Sequence, residues 1–143
     1  MIIIQDTREQ KPWDFKPHGW KVEVAKLDTG DYSIKGLEDK VSIERKSIHD
    51  FVNTMFHAKQ RFAKEVDRLR VLPYRIIVVE GDLIDVVQHR YRSRVHPNAV
   101  IGMMNYLNIA GGIEVKFWGD PETAALCAQS WMYQIAKKEL KEK

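Results

Sequence analysis

The sequence has a single cysteine, Cys127, which excludes an internal disulfide and any cysteine-based zinc cluster. Its apolar neighbours predict that this cysteine lies in the core. No apolar run is long enough to cross a membrane, and the first residues turn acidic too soon for a secretion signal. The chain also has no internal repeat, low-complexity tract or linker. These absences predict an intracellular protein with no membrane partner, located in the cytoplasm or nucleoid, or in a host cell if the source is viral.

The length and composition are those of one globular domain. The 143 residues are 44% hydrophobic and 30% charged, with a formal net charge of +3. The basic side chains are concentrated in two stretches: nine lie between Lys59 and Arg94, and four more close the chain at Lys137, Lys138, Lys141 and Lys143. Such faces suit a polyanionic partner, and a solvated surface explains them equally well.

Hydrophobic periodicity predicts alternating strands and helices. The predicted strands are residues 2–4, 20–27, 32–34, 41–46, 74–80 and 113–117, and the predicted helices are residues 48–72, 83–89, 98–109 and from 120 towards the end. The strands before residue 47 are expected to form a meander. Ser47 is expected to cap the next helix, with Asp50 three residues later in a capping-box arrangement. The predicted fold class is α/β, a mixed central β-sheet flanked by helices.

The stretch VSIERKSIHD carries a glutamate and a lysine on the same face of a strand. Side chains alternate along a strand, so Glu44 and Lys46 project together and Arg45 points the other way. Such a pair at a strand end can hold a divalent metal and direct a water or phosphate; the alternative is an ordinary exposed ion pair at the rim of the sheet. Asp6, which ends the first strand, and Asp31, which begins the strand after a turn, favour the metal site.

If these strands are neighbours, three carboxylates and a lysine meet at one edge of the sheet. Crowded carboxylates repel one another, and a hard divalent ion relieves that repulsion. Mg²⁺ prefers oxygen ligands and typically uses one or two carboxylates plus substrate phosphate oxygens. Such a site polarises a phosphodiester and lowers the pKa of a bound water. Lys46 would then orient the water or neutralise charge on the phosphate.

Three motifs, in order along the chain, give it a family resemblance. Asp6-Thr7-Arg8-Glu9 is followed by Gly30-Asp31-Tyr32 and then by Glu44-Arg45-Lys46-Ser47-Ile48-His49-Asp50. They resemble the D-x-R-E, G-D-Y and E-R-K-x-x-x-D motifs of the XPF-type (XPF/Mus/Hef, ERCC4-domain) nuclease family, and the helix that follows extends the likeness. The resemblance implies one XPF-type nuclease domain over residues 1–143, with a PD-(D/E)xK restriction-endonuclease-like fold.

The resemblance also implies roles for individual residues. Asp31 and Glu44 match the main metal ligands, and Asp6 matches a further ligand, direct or through water. Lys46 matches the catalytic lysine, and the metal is expected to be Mg²⁺, for which Mn²⁺ can substitute. Support of the site, phosphate contact or local ion pairing is expected of Arg8, Glu9, Arg45 and Asp50. For Asp50, helix capping and support of the site both remain open.

The implied activity is structure-specific endonuclease cleavage of branched DNA at flaps, forks or junctions, in the context of DNA repair or recombination. The alternative is a non-catalytic DNA-binding or scaffold subunit, and the intact set of acidic residues and lysine argues against it. The basic side chains selected as DNA contacts are Arg61, Arg90, Arg92 and Arg94.

The sequence departs from the family pattern in its length. Family members usually carry a helix-hairpin-helix module after the nuclease domain, and some carry a helicase domain; neither is expected here. DNA affinity would then come from the domain itself, from a homodimer or from a separate DNA-targeting partner. Residues 100–107 and 126–135 are candidates for a dimer interface, or they cover the sheet.

Overall fold

The computed structural model describes residues 1–140, so Lys141 and Lys143 of the terminal basic stretch lie outside the described residues. Within this range the strands are β1 (Ile2–Asp6), β2 (Lys21–Ala25), β3 (Tyr32–Ile34), β4 (Val41–Ser47), β5 (Tyr74–Glu80) and β6 (Glu114–Phe117). The α-helices are α1 (Ile48–His57), α2 (Lys59–Arg70), α3 (Leu83–Val87), α4 (Pro97–Gly111) and α5 (Pro121–Glu139). The strands form one six-stranded sheet in the order β2-β1-β3-β4-β5-β6.

The sheet is mixed, as predicted, but its first strands do not form a meander. β1 pairs in parallel with β2 and antiparallel with β3, so β1 lies between the two strands that follow it. Parallel neighbours need a crossover rather than a hairpin, and the connection from β1 to β2 includes the buried Trp13 and Phe15. Both rings pack against Tyr32 of β3, with ring centroids 4.7 Å and 5.6 Å from it. Trp13 and Phe15 therefore cover part of the core, and the predicted meander is wrong.

The two faces of the sheet contact different helices. Apolar residues of α5 pack with Ile43, Ile76 and Val78 in one core. Residues of α1, α2 and α4 pack with Ile77 and Val79 in the other. A mixed sheet with helices on both faces confirms the predicted fold class. Successive side chains of β4 point to opposite faces of this sheet, as period-two alternation requires.

Three local predictions differ from the structure. Residues 21–25 form an edge strand whose five residues are all exposed. The alternating apolar residues of this strand therefore do not form a buried face. The predicted helix over residues 48–72 is two helices, because Ala58 adopts φ −137° and ψ 49° between them. Cys127, expected to lie in the core, is only partly buried.

The candidate dimer faces contribute residues to the cores of one chain. Val100 and Leu107 of α4 are buried in one core, and Met132 and Ile135 of α5 are buried in the other. Leu126 remains 48% exposed. The alternative that these segments cover the sheet thus accounts for most of their apolar residues. No helix within residues 1–140 is long and apolar enough to cross a membrane.

Candidate active site

Backbone hydrogen bonds bring the ends of three strands together. The amide of Asp6 donates to the carbonyl oxygen of Asp31 at 2.9 Å, and the amide of Asp31 donates to the carbonyl oxygen of Ile43 at 2.8 Å. Asp31 therefore lies between the end of β1 and the Glu44 segment of β4. The sequence expectation that these strands are neighbours is correct.

Gly30 makes this close approach possible. Its φ is +77°, a conformation that glycine adopts without steric cost. A Cβ atom at this position would collide with the Ser42 hydroxyl and lie 2.9 Å from the carbonyl oxygen of Ile43. The glycine of the Gly30-Asp31-Tyr32 motif therefore allows the turn to lie directly against β4.

Asp31 and Glu44 are carboxylates whose charged forms are disfavoured. Burial raises the pKa of Asp31 to about 6, although the backbone amide of Arg45 donates to its Oδ2 at 2.8 Å. Burial, followed by the charge of Asp31, raises the pKa of Glu44 to about 8. Two desolvated carboxylates that repel each other form a donor set that attracts a cation.

Lys46 supplies a positive charge beside these carboxylates. Its side chain is 9% exposed, and its Nζ lies 3.7 Å from Oε1 of Glu44. On the same face, Nζ lies 3.3 Å from Oε2 of Glu65, which belongs to α2. The pairing of Glu44 with Lys46 follows from the alternation of side chains along β4. The contact with Glu65 instead depends on the packing of α2 against β4.

Glu65 is a site residue that the sequence interpretation missed. It raises the pKa of Glu44, although burial and Asp31 are the larger causes. The sequence does contain a signal: Glu65 is three residues after Phe62 and four before Leu69, so a charge interrupts the apolar stripe of α2. A charged residue at such a position requires a partner, and here the partner is Lys46.

Asp6 lies at the site with both of its oxygens already engaged. Oδ2 accepts from the amide of Arg8 at 3.1 Å and from its Nε at 2.6 Å, and Oδ1 accepts from the amide of Leu27 at 2.8 Å. Burial alone would raise the pKa of Asp6, but these hydrogen bonds hold it below its usual value. Direct binding of a metal would require Asp6 to release or share these partners, so contact through a water fits its surroundings better.

The side chain of Arg45 lies on the opposite face of β4. Its guanidinium forms two bonds to Glu80, at 2.8 Å and 3.1 Å, and one to Glu9 at 3.0 Å. It also lies 4.9 Å from the centre of the Trp13 ring. Of the roles left open for Arg45 and Glu9, the structure shows local ion pairing on this face of β4.

Asp50 is placed by helix capping. The hydroxyl of Ser47 accepts from the amide of Asp50 at 3.1 Å, so Ser47 is the N-cap, as predicted. The Asp50 side chain is exposed and lines a groove with His57 and Arg92. That groove is separate from the one that contains Asp31. Within residues 1–140 the Asp50 carboxylate makes no hydrogen bond back to Ser47, so Asp50 takes part in the cap through its backbone amide alone.

A groove of about 470 Å³ opens onto the candidate site. It is lined by Arg8, residues 28–31, Glu44, Glu65, Arg68 and Leu69. The arginines selected from sequence lie elsewhere: Arg61 lines a different depression with His57, and Arg90 pairs with Asp85 at 3.1 Å. Arg92 and Arg94 are exposed on the segment before α4. The cations at the groove itself are therefore Arg8 and Arg68.

The donor chemistry fits a hard divalent ion. Within residues 1–140, no three His, Cys, Asp or Glu side chains are gathered at metal-binding distances. Mg²⁺ nevertheless commonly uses only one or two carboxylates, with waters and substrate phosphate oxygens completing its coordination. Asp31 and Glu44 supply that number, and the disfavoured charge on both is what a divalent ion would relieve.

Comparison with known proteins places this geometry in a family. The family model described as the ERCC4 domain matches residues 5–129. Over 142 residues the chain is 30% identical to a Methanocaldococcus jannaschii protein whose name proposes an ATP-dependent RNA helicase, covering 99% of this chain and 16% of that protein. Over 103 residues it is 36% identical to the 3′-flap repair endonuclease Xpf of Saccharolobus solfataricus, covering 69% of this chain and 42% of the relative. The chain thus spans less than half the length of either protein.

Solved structures agree with the family match. XPF from Aeropyrum pernix superposes with a TM-score of 0.80 at 26% identity, over all of this chain and 64% of the other. The same protein in complex with DNA superposes with a TM-score of 0.77 at 28% identity, over 98% of this chain and 67% of the other. The predicted XPF-type resemblance and the restriction-endonuclease-like fold are confirmed.

Proposed function

This chain belongs to the ERCC4-domain family, and from that premise we propose that it is a metal-dependent endonuclease that hydrolyses phosphodiester bonds in branched DNA. The observation that carries the proposal is the juxtaposition of two desolvated carboxylates, Asp31 and Glu44, with the buried ammonium of Lys46. The solved relative that superposes on this chain in complex with DNA supports the same substrate class.

The chain's own residues have distinct tasks in this proposal. Asp31 and Glu44 would hold Mg²⁺ or Mn²⁺, which supplies Lewis-acid polarisation of the phosphate and lowers the pKa of a bound water. The backbone amide of Arg45 fixes one oxygen of Asp31 and thereby orients that carboxylate. The ammonium of Lys46 would neutralise charge that develops on the phosphate.

Binding of the DNA backbone is expected to use the cations at the groove. Arg8 is held by Asp6 at 2.6 Å, which keeps one guanidinium edge at the site. Arg68 lines the same groove from α2. Phosphate contacts carry no sequence information, so the affinity should fall steeply with salt and depend on DNA structure rather than sequence.

A cleavage panel tests this function. Linear, flap, fork and four-way DNA substrates are incubated with the protein in Mg²⁺, in Mn²⁺ and in chelator. We expect cleavage of at least one branched substrate in either metal and none in chelator. Salt-sensitive binding without cleavage of any substrate would instead support a non-catalytic DNA-binding subunit. Equal cleavage in chelator would rule out metal dependence.

A further inference from the structure

Glu65 has an incompletely satisfied carboxylate inside the candidate site. Its Oε2 is buried and has no hydrogen bond within the described residues 1–140, and the nearby cation is Lys46, with Nζ 3.3 Å away. This separation is shorter than the 3.7 Å between Lys46 and Glu44. The ammonium therefore lies between a carboxylate of its own strand and one that reaches over from α2.

Retaining a buried carboxylate oxygen with so few partners is costly. Removing a charge from water is repaid only by good geometry and further hydrogen bonds, and Oε2 of Glu65 has none. A residue selected only for stability at this position of the α2 stripe would be apolar, like Phe62, Val66 and Leu69.

Glu65 also restricts the movement of the Lys46 ammonium. A lysine side chain is a flexible four-carbon stem with a point charge at its end, so one contact leaves the ammonium free to move. Two carboxylates from different elements, at 3.3 Å and 3.7 Å, restrict it. Glu44 would also bind the metal, so its carboxylate would be shared between the metal and Lys46. Glu65 is the partner that would contact Lys46 only.

We propose that Glu65 is a positioning residue that holds the Lys46 ammonium, from α2, in the place where it acts on the phosphate. This inference rests on the proposed function for its consequence in catalysis, whereas the restraint on Lys46 is a property of the folded chain. A merely structural ion pair would restrain α2 against β4 and affect stability without a specific effect on turnover.

The kinetic test compares Glu65→Gln and Glu65→Ala with the unaltered chain and with Glu114→Gln. Glu114 is a control, since it forms a glutamate–lysine ion pair with Lys116 at 2.9 Å on β6 and does not line the groove. We expect Glu65→Ala to lower kcat by about 10- to 100-fold with little change in KM or in DNA affinity. Glu65→Gln should lose less, because its amide oxygen can still accept from Lys46. Glu114→Gln should leave all three quantities unchanged.

A double-mutant cycle separates positioning from structure. If Glu65 acts through Lys46, Glu65→Ala should cause no further loss of kcat in a chain that already carries Lys46→Ala. Losses that multiply in the double variant, or a fall in kcat matched by a fall in the unfolding temperature, would overturn the inference.

The restraint itself is measured without catalysis. Side-chain NMR relaxation of Lys46 reports the order of its terminal methylene, and Glu65→Ala should lower that order while Glu114→Gln leaves it unchanged. An unchanged order parameter would overturn the inference even if the enzyme is active. If the unaltered chain cleaves no DNA but Lys46 becomes mobile in Glu65→Ala, the proposed nuclease function fails and the restraint by Glu65 stands.

Discussion

The surroundings of Glu44 disfavour the charged form of its side chain, and the same is true of Asp31. Burial is the first cause at both residues, and each residue has another carboxylate nearby. Such groups are common at functional sites because catalysis, rather than stability, requires them there. The effect of these two carboxylates on the free energy of unfolding can be measured without any DNA.

The first residue-scale prediction concerns pH. The pKa of Glu44 in the folded chain is about 8, above its usual 4.5, and that of Asp31 is about 6, above 3.8. The folded chain therefore binds more protons than the unfolded chain between about pH 4 and pH 8, so the free energy of unfolding falls as pH rises through that window. Denaturant unfolding in chelator should show Glu44→Gln to be more stable than the unaltered chain at pH 8.

This advantage of Glu44→Gln should shrink towards pH 4.5, where the glutamate is protonated in the folded state and about half protonated in the unfolded state. Two stability curves that stay parallel from pH 4.5 to pH 8 would show that Glu44 has no raised pKa.

The second residue-scale prediction concerns Arg45. Its side chain is 12% exposed and neutralises both Glu9 and Glu80. Arg45→Ala would leave two largely buried carboxylates without this partner, so we expect a loss of about 3 kcal/mol in the free energy of unfolding. The control is Lys35→Ala, which removes a cation from an exposed pair with Glu23 and should cost less than about 1 kcal/mol. Equal losses in the two variants would show that the Arg45 network has no special role in stability.

Several site residues could be predicted from sequence alone because their placement is local. Glu44 and Lys46 are related by strand alternation, and Ser47 caps α1 through a contact three residues away. Glu65 could not be predicted in this way, since its place beside Lys46 depends on how α2 packs against β4. The hydrogen bond from the Leu27 amide to Asp6 is likewise a tertiary contact, whereas the bonds from Arg8 to Asp6 are local.

At the scale of elements, the site depends on the turn before β3. Asp31 follows Gly30, which has a left-handed φ and lies against β4. The end of β1 is connected to the same turn by the hydrogen bond from Asp6 to Asp31. Displacement of this turn should therefore move Asp31 relative to both neighbouring strands.

A pair of glycine substitutions tests the role of this turn. Gly30 and Gly36 both have positive φ, but an added Cβ has nothing within 4 Å at Gly36 and collides with β4 at Gly30. Gly36→Ala should lower the free energy of unfolding by about 1 kcal/mol through backbone strain alone. Gly30→Ala should cost about 1–3 kcal/mol more and should also impair cleavage.

Chemical denaturation of both variants gives the comparison. Similar losses at the two positions would mean that β4 yields to the new methyl group, and the close approach would then be unimportant for the site.

The order of the strands in the sheet was harder to predict than the presence of the strands. The six strands were recognisable from their apolar patterns, but β1 lies between β2 and β3, an order set by the crossover through Trp13 and Phe15. The break between α1 and α2 has no proline or glycine to mark it, since Ala58 occupies the junction. Tertiary packing decides both features, and local sequence patterns do not record it.

At the scale of the whole molecule, the two sides of β4 have different tasks. One side presents Glu44 to the groove and buries Lys46 beside Glu44 and Glu65. The other side anchors Arg45 among Glu9, Glu80 and Trp13. The Arg45 backbone links the two, because its amide donates to Asp31 at 2.8 Å. The anchoring of one face thereby helps to orient a carboxylate of the other.

The surface charge is consistent with a DNA-binding role, but its distribution differs from the sequence expectation. Arg8 and Arg68 line the groove, whereas Arg61, Arg92 and Arg94 lie on other parts of the surface. A branched substrate has more than one arm, so contacts at the groove and contacts away from it can engage different arms. The cleavage panel and its salt dependence bear on this point.

The central claim is that Asp31 and Glu44 form the metal-dependent catalytic centre. The most direct measurement is the single-turnover rate of Mg²⁺-dependent cleavage of a splayed-arm DNA by the unaltered chain, Asp31→Asn and Glu44→Gln, with DNA affinity measured in chelator. We predict that the unaltered chain cleaves, that each variant is slower by more than about 100-fold, and that all three bind DNA with similar affinity. Cleavage by either variant at the rate of the unaltered chain would contradict the assignment.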